Sequence, residues 1–106
     1  MASLQRYTDR RVLITGGGSG IGQACVLRIL EEGGRVVAAD ISEPGLADTA
    51  TKAGGTGGRL STVVIDVGDE KSVTSAVAEA VSALGGLDTL VNVAGILRSR
   101  RKRWKR

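Results

Sequence analysis

Four short apolar runs alternate along the chain with longer segments whose apolar residues recur at helical spacing. The runs cover residues 11–15, 36–39, 60–65 and 87–93. The first two runs are short and continuous, which is typical of strands buried on both faces of a parallel sheet. The intervening segments predict helices over residues 20–32, 43–53 and 69–84. The pattern therefore predicts the element order β-α-β-α-β-α-β.

Helical connections of this length join parallel strands through right-handed crossovers. In a doubly wound sheet they predict an α/β fold with the spatial strand order 3-2-1-4. Ligands of such sheets bind beyond the carboxyl ends of the strands at the point where the order reverses, here between strands one and four. We expect the first two helices on one face, the third helix alone on the other, and an open outer edge at strand four.

The third predicted helix has the clearest apolar stripe. Its members recur at three- and four-residue steps and are Val73, Ala76, Val77, Ala80, Val81 and Leu84. This spacing places them on one helical face, which we expect to pack against the sheet. Asp69 and Glu70 precede the stripe and suit the positive end of the helix dipole.

The first strand runs into a glycine-rich turn that opens the first helix. The turn reads Thr15, Gly16, Gly17, Gly18, Ser19, Gly20, Ile21, Gly22. A phosphate bound there needs backbone N–H groups aimed at it, no Cβ in the way, and a helix N-terminus behind it. Gly16 permits a sharp turn, Gly20 a close approach by a pyrophosphate, and Gly22 a helix lying close to the sheet. A glycine turn without a ligand is the alternative.

This turn resembles the cofactor turn T-G-x-x-x-G-I-G of the short-chain dehydrogenase/reductase family at every fixed position. The resemblance covers residues 11 to about 97 and implies a truncated Rossmann-type sheet that binds NAD. It also implies an oxidoreductase whose substrate is an alcohol or a ketone. The residues of the turn that it assigns to the cofactor are Gly16, Gly18, Ser19, Gly20, Ile21 and Gly22.

A carboxylate, Asp40, closes the second strand 18 residues after Gly22. A carboxylate at this place accepts hydrogen bonds from both hydroxyls of an adenosine ribose and repels a 2′-phosphate. Ser19 and Ile41 occupy the two positions where the family usually has a basic residue for that phosphate, and neither can neutralise it. These residues predict NAD rather than NADP as cofactor. A turn aspartate at a strand end is the alternative.

Two further motifs resemble the family's cofactor contacts. Asp66 and Val67 resemble its pair at the adenine slot, although an Asp after a strand also commonly forms a turn. Asn92, Ala94 and Gly95 resemble its N-N-A-G motif and would leave room for the nicotinamide ribose. A purely structural amide is the alternative for Asn92.

We predict no catalytic residue and no metal site in this chain. The family's Ser and Tyr-x-x-x-Lys, whose tyrosine is the general acid/base, lie beyond the point where the chain stops. Tyr7 is the one tyrosine, and Arg11 stands four residues after it. We therefore expect no turnover. Residues 98–106 do not resemble the family, and they read like a truncated or frame-shifted product.

The charge is unevenly distributed. Residues 98–106 hold seven of the 15 basic residues and no acid, so residues 1–97 hold eight basic and 11 acidic residues. We predict a disordered basic tail over 98–106, a nucleotide-binding half-domain over 11–97 and an N-terminal extension over 1–10. We expect no nucleic-acid partner, and binding of nucleic acid by the tail, with Trp104 stacking on bases, is the alternative.

The remaining composition predicts a cytoplasmic protein. No run of 18 apolar residues and no signal peptide is present, so we expect no membrane partner. The single Cys25 excludes a disulfide within the chain and reads as a small buried hydrophobe. A non-catalytic nucleotide-binding or interaction fragment, which associates through the open edge of strand four, is the second hypothesis for function.

Overall fold

The carboxyl ends of four parallel strands lie along one edge of the sheet in the computed structural model, which describes residues 6–56 and 58–93. The elements are β1 (Arg11–Thr15), α1 (Gly20–Glu31), β2 (Arg35–Asp40), α2 (Glu43–Ala53), β3 (Leu60–Val64), α3 (Glu70–Leu84) and β4 (Thr89–Asn92). The strands are ordered β3-β2-β1-β4, and every pairing is parallel. The predicted α/β fold and strand order are confirmed.

Three strands differ in length from the prediction, and β3 ends one residue earlier than expected, at Val64. β2 is longer because Arg35 and Asp40 join it, and the Arg35 N–H donates to Arg10 O at 2.8 Å. β4 is shorter than predicted, because residues 87, 88 and 93 lie outside it. The Asp88 N–H donates to Arg11 O at 2.8 Å, and the Asp88 carboxylate accepts from the Arg11 backbone N–H at 2.9 Å and from the Arg11 guanidinium at 3.0 Å. Asp88 thus contacts Arg11 through both its backbone and its side chain.

The two faces of the sheet carry separate cores. One face packs under α1 and α2, and its buried residues are Val12, Ile14, Val26, Ile29, Leu30, Val36, Ala38 and Leu46. The other face packs under α3, and its buried residues are Leu13, Val37, Ala39, Ile65, Ala76, Ala80 and Leu84. The distribution of helices matches the expected two-against-one arrangement. Cys25 is half-buried at the margin of the first core.

The face under α3 is incompletely covered by the described residues. Val81, expected to pack against the sheet, is 39% exposed, because it lies at the edge of the α3 stripe. Leu90 pairs with the buried Leu13 in register yet is 55% exposed. Within the described part of the chain, β4 pairs with β1 alone.

The segment before β1 packs against the end of α1. The Tyr7 N–H donates to Glu32 O at 3.1 Å, and the Arg6 guanidinium binds the Glu32 carboxylate at 2.7 and 2.8 Å. Arg28 binds the same carboxylate, of which only 1% is exposed. These hydrogen bonds lower the pKa of Glu32 to about 2, and the bond from Arg6 has a larger effect than the bond from Arg28. Part of the predicted N-terminal extension therefore belongs to the folded unit.

We expect Glu32→Gln to lower stability at neutral pH and to flatten its acid dependence. The folded-state pKa lies below the ordinary value of 4.5, so the ionised carboxylate stabilises the fold above about pH 4.5. That contribution is lost as the pH falls towards 2, and glutamine lacks it throughout. Urea unfolding at several pH values measures the difference between wild type and variant, with Glu79→Gln on the exposed side of α3 as control. An unchanged pH slope in Glu32→Gln would contradict the assignment.

Candidate nucleotide-binding site

The glycine turn lies where the carboxyl ends of the strands meet. Thr15, the last residue of β1, is in register with Ala39 on one side and Asn92 on the other. The turn is bonded to β2, because the N–H groups of Gly16 and Gly17 donate to Ala39 O at 2.7 and 3.0 Å. This is the switch point at which the sequence predicts a ligand.

Three glycines give the turn its shape. Gly16 has a φ of 84°, which reverses the chain after β1 at little steric cost. A Cβ on Gly22 would collide with the carbonyl oxygen of Gly16. The close contact that needs a glycine is thus between α1 and the turn, rather than between α1 and the sheet. A Cβ on Gly20 would meet no atom of the described residues within 4 Å, so this position is open to an approaching ligand.

The N-terminus of α1 fits an anion. Ser19 precedes the helix in an extended conformation, with a φ of −166°, and its side chain makes no capping hydrogen bond in the described structure. The first turn of α1 holds no acidic residue. The helix dipole and the first backbone N–H groups are therefore available to a phosphate. Gly20 and Ile21 are exposed at this end, and the Ile21 side chain is 74% exposed.

Asp40 faces the turn. Its Oδ2 accepts from the Gly18 N–H at 2.9 Å, and its Oδ1 accepts from the Ser42 N–H at 2.9 Å. A Cβ on Gly18 would lie only 2.9 Å from Asp40 Oδ2, so the missing side chain permits this contact. Each carboxylate oxygen retains capacity for a further hydrogen bond. The half-buried carboxylate thus fits a pair of hydroxyl donors while it stays anchored by the backbone.

The positions flanking this carboxylate carry no positive charge. Ser19 is exposed at the turn, and Ile41, directly after Asp40, is 62% exposed. A 2′-phosphate beside Asp40 would meet an anion and no neutralising side chain at either position.

The other predicted contacts have structural partners. Asp66 Oδ1 accepts from the Gly68 N–H at 2.9 Å, which is the turn interaction that the sequence leaves open. Val67 is half-buried against the core under α3. The Thr15 hydroxyl donates to Asn92 Oδ1 at 2.7 Å and ties β1 to β4. Ala94, Gly95 and the basic tail over 98–106 lie outside the described residues.

Sequence reasoning missed two residues of α2 that contact the turn. Thr49 is fully buried, and its hydroxyl donates to Gly17 O at 2.7 Å. A Cβ on Gly45 would lie 2.7 Å from Gly18 O. The one available signal is a hydroxyl in an apolar stripe, since Leu46 and Thr49 share a helical face. This signal does not identify the group that the Thr49 hydroxyl contacts.

A groove of about 640 Å³ lies between the C-terminal halves of α1 and α2, away from the turn. Its basic side chains already have partners. Arg28 binds Glu32, Lys52 binds Asp48 at 3.4 Å, and Arg59 donates to the carbonyls of Leu30 and Gly34. The switch point, rather than this groove, therefore combines open backbone donors with an anchored carboxylate.

Across residues 6–56 and 58–93, no helix has the length and apolar character needed to cross a membrane.

The parallel sheet of order β3-β2-β1-β4, with a glycine turn at its switch point, defines the Rossmann class of α/β folds. The family model for short chain dehydrogenases matches residues 10–105. The chain belongs to this family, as its N-terminal part. The match continues beyond residue 97, where the sequence resemblance was expected to end.

Relatives of known activity and structure agree with this membership. The 2,5-dichloro-2,5-cyclohexadiene-1,4-diol dehydrogenase LinX of Sphingobium indicum is 41% identical over 92 residues, which are 87% of this chain and 37% of LinX. The crystal structure of levodione reductase matches with a TM-score of 0.76 and 38% identity, over 80% of this chain and 34% of that one. The 3-ketoacyl-(acyl-carrier-protein) reductase of Brucella melitensis, complexed with NADH, matches with a TM-score of 0.71 and 32% identity, over 78% of this chain and 33% of that one. The chain thus spans about a third of the length of these relatives.

Proposed function

We propose that this chain is the NAD-binding portion of a short-chain dehydrogenase/reductase. The observation that carries the proposal is the contact between the Gly18 N–H and Asp40 Oδ2, which joins the glycine turn to the acid at the end of β2. A phosphate on the turn and a ribose on the acid are then adjacent parts of one ligand. The family typically uses NAD or NADP, and one relative was crystallised with NADH.

The proposed ligand follows the edge of the sheet. The pyrophosphate lies at the N-terminus of α1, over Gly20 and Ile21, where backbone N–H groups face it. The adenosine ribose lies on Asp40. The adenine lies towards Ile41, Asp66 and Val67, and the nicotinamide ribose lies towards Asn92 at the end of β4. The family resemblance assigns Ala94 and Gly95 to the same ribose.

We propose NAD rather than NADP on electrostatic grounds. The Asp40 carboxylate accepts hydrogen bonds from ribose hydroxyls but repels a phosphate in their place. Ser19 and Ile41 supply no compensating charge.

The reaction proposed for the complete protein is hydride exchange between the nicotinamide and an alcohol or ketone, as the names of the relatives suggest. The nicotinamide supplies the hydride chemistry, and this chain supplies binding and orientation. We propose no turnover by these 106 residues alone. Their one tyrosine, Tyr7, packs beside the core at the far end of α1 and not at the switch point.

Self-association through the outer edge of β4 is a further part of the proposal, since β1 is its one partner among the described strands. The cytoplasmic location also remains a proposal, and we propose no role in nucleic-acid binding.

Titration with NADH, followed by the fluorescence of the reduced nicotinamide, tests the proposal. We expect saturable binding with a dissociation constant below about 1 mM, within the range usual for enzyme ligands. Deleting residues 98–106 should leave the affinity unchanged. Absence of saturable binding by a folded chain would refute the proposed function.

A further inference from the structure

We propose that Thr49 of α2 positions Asp40 for ribose recognition by holding the peptide between Gly17 and Gly18. This inference rests on the proposed function and extends the site to a helix that does not itself reach the expected ligand. Thr49 is a positioning residue here, since it acts through the turn.

The Thr49 hydroxyl is buried in a fixed arrangement. It accepts from Gln23 Nε2 at 2.9 Å and donates its one hydrogen to a carbonyl. The Gly17 carbonyl, at 2.7 Å, is nearer than the Gly45 carbonyl of the same helix, at 3.2 Å. Thr49 is 0% exposed, so water does not replace either contact. The Thr49 hydroxyl therefore donates its hydrogen to the glycine turn.

Peptide geometry transmits this contact to Asp40. The C=O and N–H of a planar trans peptide point in opposite directions, and the described residues contain no cis peptide bond. Fixing the Gly17 carbonyl on Thr49 therefore aims the Gly18 N–H away from α2, towards Asp40 Oδ2 at 2.9 Å. The hydroxyl and the carboxylate hold the two ends of one peptide.

A second contact keeps α2 against the turn. A Cβ on Gly45 would lie 2.7 Å from Gly18 O and 3.2 Å from Gly18 C, so α2 packs directly on the following peptide. The helix is additionally tied to α1, because Gln23 Nε2 donates to Asp48 Oδ2 at 3.1 Å. Thr49 is therefore presented to the turn by a helix that is itself fixed.

Loss of the hydroxyl would leave the buried Gly17 carbonyl without its partner. The peptide would then relax, and the Gly18 N–H would hold Asp40 less firmly. Both properties that depend on Asp40 should change together, namely the affinity for NADH and the preference for NADH over NADPH.

The test compares Thr49→Val, Thr49→Ser and Thr51→Val in the full chain by titration with NADH and NADPH. Thr51 is exposed on the same helix, so its variant makes the same chemical change away from the turn. We expect Thr49→Val to weaken NADH binding about tenfold, as for a lost buried hydrogen bond, and NADPH binding less. Thr49→Ser keeps the hydroxyl and should rescue both affinity and preference, while Thr51→Val should match wild type.

Amide hydrogen exchange in the cofactor-free chain supplies an independent readout. Thr49→Val should speed the exchange of the Gly17 and Gly18 amides, and Thr51→Val should not. Equal weakening of NADH and NADPH would indicate a merely structural role and overturn the inference. Unchanged binding and exchange in Thr49→Val would overturn it while the proposed function stands. If the wild-type chain binds no NADH, the proposed function is refuted, and the role of Thr49 in ribose recognition is refuted as well.

Discussion

Gly22→Ala is expected to lower the free energy of unfolding by about 2 kcal/mol or more. Alanine gains about 1 kcal/mol over glycine in helix propensity, but its Cβ would collide with the Gly16 carbonyl oxygen. Overpacking costs about 1–3 kcal/mol and occasionally more, and a Cβ pressed against a backbone oxygen belongs at about 3 kcal/mol or above, because the oxygen cannot rotate away as a side chain can. The collision outweighs the propensity because the turn cannot move away from α1 without breaking the hydrogen bonds of Gly16 and Gly17 to Ala39 O. NADH binding should be lost as the turn opens.

Urea unfolding measures the loss of stability in Gly22→Ala, and NADH titration measures the loss of binding. Gly55→Ala is the matched control, because a Cβ there meets no atom of the described structure within 4 Å. Its stability should stay within about 0.5 kcal/mol of wild type. A Gly22→Ala chain as stable as wild type, or more so, would show that the helix and turn are not in the close contact described.

Asp40→Ala is expected to weaken NADH binding about 30-fold, since a hydrogen bond to a charged group contributes about 1.5–3 kcal/mol. Alanine removes the acceptor for both ribose hydroxyls. It also removes the partner of the Gly18 and Ser42 N–H groups. NADPH binding should fall less, because the repulsion of its 2′-phosphate disappears with the carboxylate.

A thermal melt separates loss of binding from loss of fold in this variant. Glu43→Ala makes a comparable change of charge three residues later, at an exposed position in the first turn of α2. It should retain NADH affinity within about twofold, as expected for a solvent-exposed charge. If Asp40→Ala and Glu43→Ala bind NADH equally well, Asp40 has no part in the site.

The element order and the sheet topology could be predicted because each depends on local pattern and general chirality. Continuous apolar runs identify the buried strands β1 and β2, and the glycines after α1 and α3 identify the helix ends. The boundary of β4 could not be predicted in the same way. Asp88 contacts Arg11 through backbone and side chain just before β4, and this contact exists only once the first and last described strands are neighbours.

The burial of side chains at the margins of the sheet likewise could not be predicted from the sequence pattern. Val81 belongs to the apolar stripe of α3, but its exposure depends on what covers the face beyond that stripe. The same holds for Leu90, whose register partner Leu13 is fully buried. Periodicity predicts which face of an element a side chain lies on. It does not predict how far the elements packed on that face extend, and this decides whether the side chain is buried.

The site was predictable where backbone conformation imposes the residue type. Gly16 and Gly22 show this, since one has a positive φ and the other lies against a carbonyl. Thr49 was not predictable, because its partner Gly17 lies 32 positions away and threonine suits many helix positions. Asp66 shows a third case, in which one residue type serves equally in a turn or against an adenine.

The most direct measurement is a pair of titrations of the wild-type chain, one with NADH and one with NADPH, under the same buffer and salt. The account predicts that NADH binds at least about tenfold more tightly, because a 2′-phosphate would lie against the Asp40 carboxylate. Equal affinities, or tighter binding of NADPH, would contradict the placement of the ribose on Asp40.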